Sequence, residues 1–190
     1  MRNGTYLFLY MLLLALVLGG CAGTRHSFQT TQTQEDGIAE EAGTSMGGAV
    51  SAITAAVHED EIQGAILLYP AFVLVDNANE QFESVEDISD TYYLMWMTVG
   101  HVFVDDLLDY DIYEAISAYK KDILLIYGDA DSIVPLSYSE KAVEAYDSAL
   151  LEVLPGAGHG FYGSDAEVVD LLSGGLWNNR AAGHRSAGRI

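Results

Sequence analysis

Three short apolar runs stand out from a polar and small-residue background: Ala65-Ile66-Leu67-Leu68-Tyr69, Ile123-Leu124-Leu125-Ile126-Tyr127 and Leu150-Leu151-Glu152-Val153-Leu154. Each is too short for a helix, is rich in Ile, Leu and Val, and is stopped by Pro70, Gly128 or Pro155-Gly156, which predicts buried strands. Between and after them the pattern turns helical. A small-residue helix starts near Met46 and covers Ala49 to Val57, a second covers Tyr138 to Ser148, and a last one covers Asp165 to about Leu172. Strands separated by helices imply parallel βαβ connections, so the expected fold class is α/β, a parallel sheet of few strands flanked by helices.

Other stretches break that pattern. Residues 22–42 are rich in Thr, Gln and Glu, with neither period, and read as a polar tether; Gly37-Ile38-Ala39-Glu40-Glu41-Ala42 does not look like a buried strand. The expected folded domain is therefore 43–172. Within it, 76–109 is an insertion with many Asp and Glu, no Lys or Arg, and interleaved Phe82, Tyr92, Tyr93, Trp96, Met97 and Phe103. Such a segment is acidic outside and aromatic inside. Residues 173–190 change charge sign, lose the apolar period and read as a disordered basic tail.

A formal net charge of -20 over 190 residues, with a pI near 4.2, excludes binding to nucleic acid or to an anionic membrane through a basic patch, since both need clustered Lys and Arg. Neutral or hydrophobic small molecules suit the chain better. The single cysteine, Cys21, rules out an intrachain disulfide and a cysteine-based zinc site. It follows an apolar run, Tyr6 to Leu18, preceded by Arg2 and ending in Leu18-Gly19-Gly20-Cys21. That segment resembles a bacterial lipoprotein signal, 1–21, with Cys21 as the lipidated residue and the protein exported and anchored to a bacterial membrane. A short transmembrane anchor, or a secretory signal with an incidental cysteine, is the plainer alternative, and palmitate labelling of wild type against Cys21→Ala separates them.

Gly43-Thr44-Ser45-Met46-Gly47 has the form G-x-S-x-G, in which a serine occupies a strained turn between strand and helix and the flanking glycines are expected to leave room for the reversal. The helix that follows places the Met46 amide where it can donate to a developing oxyanion. Alone, the motif reads equally as a glycine-rich helix start. Two later loops change the reading: Gly128-Asp129-Ala130-Asp131 directly follows one apolar strand, and Gly156-Ala157-Gly158-His159-Gly160-Phe161 follows the next. Serine, acid and histidine in this order are those of an α/β-hydrolase, with Ser45 as nucleophile, His159 as base and then acid, and Asp131 orienting the imidazole. Asp129 competes for the acid role. His58 and His101 have no partner pattern suggesting a metal, and neither H-E-x-x-H nor a glycine-rich phosphate loop is present, so a cofactor-free, metal-free site is expected.

The stretches Asp111-Ile112-Tyr113-Glu114, Gly128 through Glu140 and Leu154 through Phe161 resemble bacterial esterases of the feruloyl and cinnamoyl esterase type, over about Gly43 to Leu172. The resemblance implies an ester hydrolase whose insertion at 76–109 caps an acyl pocket, with Tyr92, Tyr93 and Trp96 as aromatic acyl contacts unless they are merely the cap's own core. The acid position in its pattern, G-x-x-D-x-x-V-P, falls on Asp131. A complete member has several strands ahead of the elbow and a second oxyanion donor there. Their absence implies an incomplete fold, an open apolar edge on the Ala65 to Tyr69 strand, and a rate lower by about a hundred- to a thousandfold for one missing donor. An inactive hydrolase remnant, and a serine peptidase of the prolyl-oligopeptidase kind with the same triad order, are the competing expectations.

Overall fold

The computed structural model describes residues 39–94 and 97–173. Its centre is a four-stranded sheet in which every neighbouring pair is parallel, in the order β1 (Ala39–Thr44), β2 (Ile62–Leu68), β5 (Asp122–Gly128) and β6 (Ala149–Leu154). Parallel neighbours need crossovers, and helices supply them: α1 (Ser45–Val57) joins β1 to β2, and α5 (Ser137–Ala145) joins β5 to β6. β5 is central. Its residues Ile123 to Gly128 are all buried, which is why the run is apolar without alternation.

One face of the sheet carries the larger core, where Ala65, Leu67, Ile123, Leu125 and Tyr127 pack with Ala49, Ala52 and Ala55 of α1. The small residues of α1 allow close approach: a Cβ on Gly48 would lie 3.0 Å from Pro70 Cα. On the opposite face Leu124, Ile126 and Leu154 pack with Phe161 and with Val168 of α6 (Asp165–Ser173). Two buried tyrosines join β5 and its approach to the strand beside it. Tyr127 donates to Pro70 O at 2.7 Å and Tyr119 to Ile62 O at 3.2 Å.

The outermost described strand, β1, departs from the sequence reading. A tether was expected up to residue 42, yet Ala39–Thr44 pairs with Ile62–Leu68, Glu40 opposite Gly64 and Thr44 opposite Leu68. The backbone ladder with β2 overrides the weak strand propensity of AEEAGT. It also moves the expected open edge, because β2 has β1 on one side and β5 on the other. The outer position falls to a polar strand, with Glu40 exposed and Glu41 accepting a hydrogen bond from Ser51 Oγ at 2.9 Å. Charged side chains on an outer strand oppose edge-to-edge pairing.

The insertion is folded as α2 (Val73–Gln81), a 3-10 turn (Val85–Asp87), an antiparallel hairpin of β3 (Thr91–Leu94) and β4 (Met97–Gly100), and α3 (His101–Leu107). Val99, Phe103, Val104 and Leu107 join the larger core. Asn79 Oδ1 accepts from Asp109 N at 3.2 Å, closing the base of the insertion, and Tyr138 donates to Asp76 Oδ2 at 2.7 Å, tying α2 to α5. The helix α4 (Ile112–Ser117) leads back to the sheet, its start capped by Asp111, which accepts from Glu114 N.

Burial pushes the hydroxyls of Tyr110, Tyr113, Tyr119, Tyr127 and Tyr146 above the ordinary 10.0, and burial with the Asp76 bond takes Tyr138 up to about 12. The folded state therefore keeps these protons at a pH where the unfolded chain releases them. Their contribution to stability is complete below pH 10 and is lost as pH rises toward the folded values. Denaturant midpoints should be flat in this respect up to pH 10 and fall above it, with tyrosinate absorbance appearing together with unfolding.

Candidate active site

Ser45 stands at the junction of β1 and α1. Thr44 is still extended, with φ -121° and ψ 143°, and Ser45 turns abruptly to φ 51°, a left-handed conformation that costs a non-glycine residue about 1–3 kcal/mol. Ser45 O accepts from Ala71 N at 2.8 Å, which ties the turn to the segment after β2. The glycines of the motif do not share its steric burden as expected. A Cβ on Gly43 would meet Gly47 O and Ser51 Oγ at 2.5 Å, and one on Gly48 would press on Pro70, whereas one on Gly47 meets nothing described within 4 Å. Gly43→Ala should thus destabilise the protein, by about 1–3 kcal/mol. Gly47→Ala should be neutral or stabilise by up to about 1 kcal/mol, and thermal unfolding of the two variants checks the contrast.

The acid and the histidine sit on the loops after β5 and β6. His159 Nε2 is 3.0 Å from Ser45 Oγ, and His159 Nδ1 is 2.8 Å from Asp131 Oδ2. Asp131 is 7% exposed, and its other oxygen, Oδ1, accepts from Ile133 N at 2.8 Å and Val134 N at 2.9 Å. Three donors thus hold a nearly buried carboxylate in one orientation. Asp129 is occupied elsewhere: its Oδ1 accepts from Gly156 N at 2.6 Å, a cross-link between the acid loop and the histidine loop. Of the two acids, Asp131 is the one within hydrogen-bond distance of the imidazole. The loops are further joined by Ala130 N donating to Ala157 O at 3.0 Å. At Gly128 a Cβ would lie 2.1 Å from Ala157 O, so only glycine lets them approach this closely.

An aromatic pair, not singled out by the sequence reading as part of the site, flanks the histidine. The Tyr69 ring lies 4.6 Å from the His159 ring, tilted by 60°, and 4.7 Å edge-on from the Phe161 ring. Both aromatic residues have positive φ, 38° and 57°. Burial raises the Tyr69 hydroxyl above its ordinary 10.0, opposed by a hydrogen bond from Thr44, the residue before the nucleophile. Nothing along the chain announces this contact. A tyrosine before a proline at a strand end reads as ordinary punctuation.

Of the remaining expected residues, Met46 is in the first turn of α1, where position in the helix leaves its N–H without an intrahelical acceptor and beside the serine. Tyr92 and Tyr93 belong to β3, and Tyr93 is 73% exposed, so the described structure does not place it in an enclosed acyl pocket. Trp96 and Cys21 lie outside the described residues, as do 1–38 and 174–190. His58 Nδ1 is 3.3 Å from Glu61 Oε1, and among the described residues no group of three His, Cys, Asp or Glu could hold a metal ion. No described helix is long and apolar enough to cross a membrane.

A parallel sheet that carries a strained serine, a buried carboxylate and a histidine just beyond the ends of β1, β5 and β6 has the α/β-hydrolase fold and the residue order of its serine hydrolases. The chain belongs to the prolyl oligopeptidase family, whose model matches residues 21–183. Among curated proteins it is similar to the "Putative carbamate hydrolase RutD" of Caulobacter sp. (strain K31), 30% identical over 115 residues that make up 57% of this chain and 42% of that protein. Among solved structures it is similar to Est1E from Butyrivibrio proteoclasticus, with a TM-score of 0.63 and 24% identity over 68% of this chain and 56% of that one. The same protein with ferulic acid bound gives a TM-score of 0.60 and 26% identity, covering 67% and 53%. A monoacylglycerol lipase of Paleococcus ferrophilus shares the fold at a TM-score of 0.55 and 17% identity, covering 70% and 66%. The chain thus spans about half the length of these relatives, between 42% and 66%.

Proposed function

We propose that this hydrolase cleaves carboxylic esters of small acyl or hydroxycinnamoyl groups through an acyl-enzyme at Ser45. The observation that carries the reading is the continuous hydrogen-bonded line from Asp131 Oδ2 through the His159 ring to Ser45 Oγ. In that line the Nδ1 proton is held by Asp131, so Nε2 is the basic nitrogen facing the serine. Ser45 Oγ attacks the ester carbonyl carbon while its proton passes to Nε2. The carbonyl oxygen gains negative charge and is met by the Met46 N–H at the positive end of α1. Collapse of the tetrahedral intermediate breaks the bond to the alcohol, which leaves with the proton from Nε2. Water then repeats the sequence on the acyl-serine and releases the acid.

Similarity to Est1E, solved with ferulic acid, supports an ester of an aromatic acid as the substrate. The family match favours a second reading, a serine peptidase acting on an aminoacyl amide by the same steps. Labelling of the purified protein with a fluorophosphonate probe tests the shared mechanism. Wild type should label, and Ser45→Ala and His159→Ala should not. Labelling that persists in Ser45→Ala would place the reactive nucleophile elsewhere and defeat the acyl-enzyme at Ser45, and a folded wild type that does not label would favour an inactive hydrolase remnant. Turnover of an aryl ester well above that of a prolyl arylamide supports the esterase; the reverse order supports the peptidase.

A further inference from the structure

The histidine loop has little of its own to hold the imidazole in place. His159 is flanked by Gly158 and Gly160, and Gly160 has φ 85°, so the backbone on both sides is of the most permissive kind. Its two hydrogen bonds, to Asp131 at Nδ1 and to Ser45 at Nε2, lie at opposite ends of the ring. Two such bonds fix where the nitrogens are, and the plane of the ring is otherwise restrained only through its Cβ attachment to this glycine-flanked backbone and by what packs against it. A contact against the ring itself adds to that restraint. The Tyr69 ring, 4.6 Å away and tilted by 60°, is that contact.

Tyr69 is itself held unusually firmly. Its N–H donates to Ile126 O at 2.8 Å on the central strand, and Pro70 O, the next carbonyl, accepts from buried Tyr127. Ala71 N then donates to Ser45 O at 2.8 Å, so the turn that carries Tyr69 is bonded to the nucleophile's own carbonyl. Phe161 also packs against the Tyr69 ring, edge-on at 4.7 Å. The φ of 38° is foreign to a residue before proline, which ordinarily stays extended, and strain of this kind persists only where the surroundings over-determine it. The strained backbone aims an aromatic ring at the imidazole.

We infer that Tyr69 is a positioning residue: through its ring, not its hydroxyl, it fixes the plane of the His159 imidazole between Asp131 and Ser45. This rests on the acyl-enzyme reading for its kinetic consequence, but not for its structural one. The ring accepts no proton and touches no reacting bond. Its effect is confined to keeping Nε2 aligned with Ser45 Oγ, where a misplacement on the order of 1 Å can cost about a hundredfold in rate.

The test compares wild type, Tyr69→Phe and Tyr69→Leu by steady-state hydrolysis of p-nitrophenyl acetate, by thermal unfolding, and by the downfield proton resonance of the hydrogen bond between His159 Nδ1 and Asp131. Tyr69→Phe keeps the ring and should stay within about twofold of wild type in kcat. Tyr69→Leu keeps apolar bulk without the ring and should lose about tenfold to a hundredfold in kcat with KM nearly unchanged, and its downfield resonance should broaden or vanish. Equal losses in both variants would assign the effect to the hydroxyl and overturn the proposal, as would a Tyr69→Leu enzyme with wild-type kcat and a sharp resonance. If wild type does not hydrolyse the ester or label with fluorophosphonate, the acyl-enzyme reading fails by itself. The resonance then still decides Tyr69: kept in Phe and lost in Leu supports the positioning role, and kept in both refutes it. Should Tyr69→Leu fail to fold, Tyr69→Met, with a flexible side chain of similar length, takes its place with the same expected losses.

Discussion

Asp131→Asn should leave a folded protein with turnover lower by about ten-thousandfold, the loss expected when a triad imidazole is held in the wrong tautomer. The structure supplies the reason. Asp131 Oδ1 accepts two backbone donors, Ile133 N and Val134 N, while Oδ2 faces His159 Nδ1. An asparagine must keep its oxygen on the two N–H groups, because turning the amide over would set an NH2 against two further donors in a nearly buried place. Its NH2 therefore faces Nδ1 and forces that nitrogen to accept. The proton moves to Nε2, which can then no longer take one from Ser45. Asp129→Asn is the control: its amide oxygen can still accept from Gly156 N, so turnover should fall by less than about tenfold, the scale of one weakened charge-assisted bond. Single-turnover hydrolysis of an aryl ester by the two variants checks the ranking, and a larger loss at Asp129 would contradict the geometry.

Gly128→Ala should damage stability and the site together. A methyl group there would sit 2.1 Å from Ala157 O, 2.6 Å from Ala157 C and 3.0 Å from Ala157 Cβ. Two of those three atoms are backbone, so no rotamer change relieves the contact, and the loss should reach or exceed about 3 kcal/mol, the upper end for overpacking. The atom displaced is the carbonyl that accepts from Ala130 N, one residue before Asp131 and two before His159. Pushing the loops apart lengthens the acid–histidine bond as well as loosening the core. Gly158→Ala provides the comparison in the same loop, since its Cβ would lie 3.8 Å from Ala130 O, an ordinary contact. That variant should unfold at or slightly above the wild-type temperature, the usual gain being about 0.4–1 kcal/mol where the backbone tolerates a side chain. Fluorophosphonate labelling rates should follow the same order.

The insertion bears on these expectations through its anchors more than its surface. Tyr138 joins α5 to Asp76 at the root of α2, and Asn79 receives the Asp109 amide at the other end. The insertion is thereby attached to the elements that follow the acid loop. Its hairpin presents Tyr93 to solvent, so an acyl-binding role for that ring would require a change of position or a further surface laid against it.

Much of this protein could be read along the chain because the signals concerned are local. The runs at Ile123 to Tyr127 and Leu150 to Leu154 are both strands, because an apolar run stopped by glycine or proline has few other fates, but only the first is buried throughout. In the second Leu154 alone is buried and Val153 is exposed, since β6 has a described neighbour on one side only. Serine, acid and histidine were legible as candidates for the same reason, each lying at the end of such a run or in a glycine-marked turn. What pairing and packing decided was of another kind. Residues 39–42 carry no strand signal, and became a strand only because β2 offered them a ladder. The motif named two glycines, but space alone revealed that Gly43 and Gly48 are crowded and Gly47 is not. Asp129 and Asp131 are equivalent in composition and nearly so in place, and were separated by which backbone donors each meets. Tyr69 meets His159 across a sheet, a contact between loops from different strands that no spacing encodes. Local chemistry determined which residues are available; long-range geometry determined which of them touch.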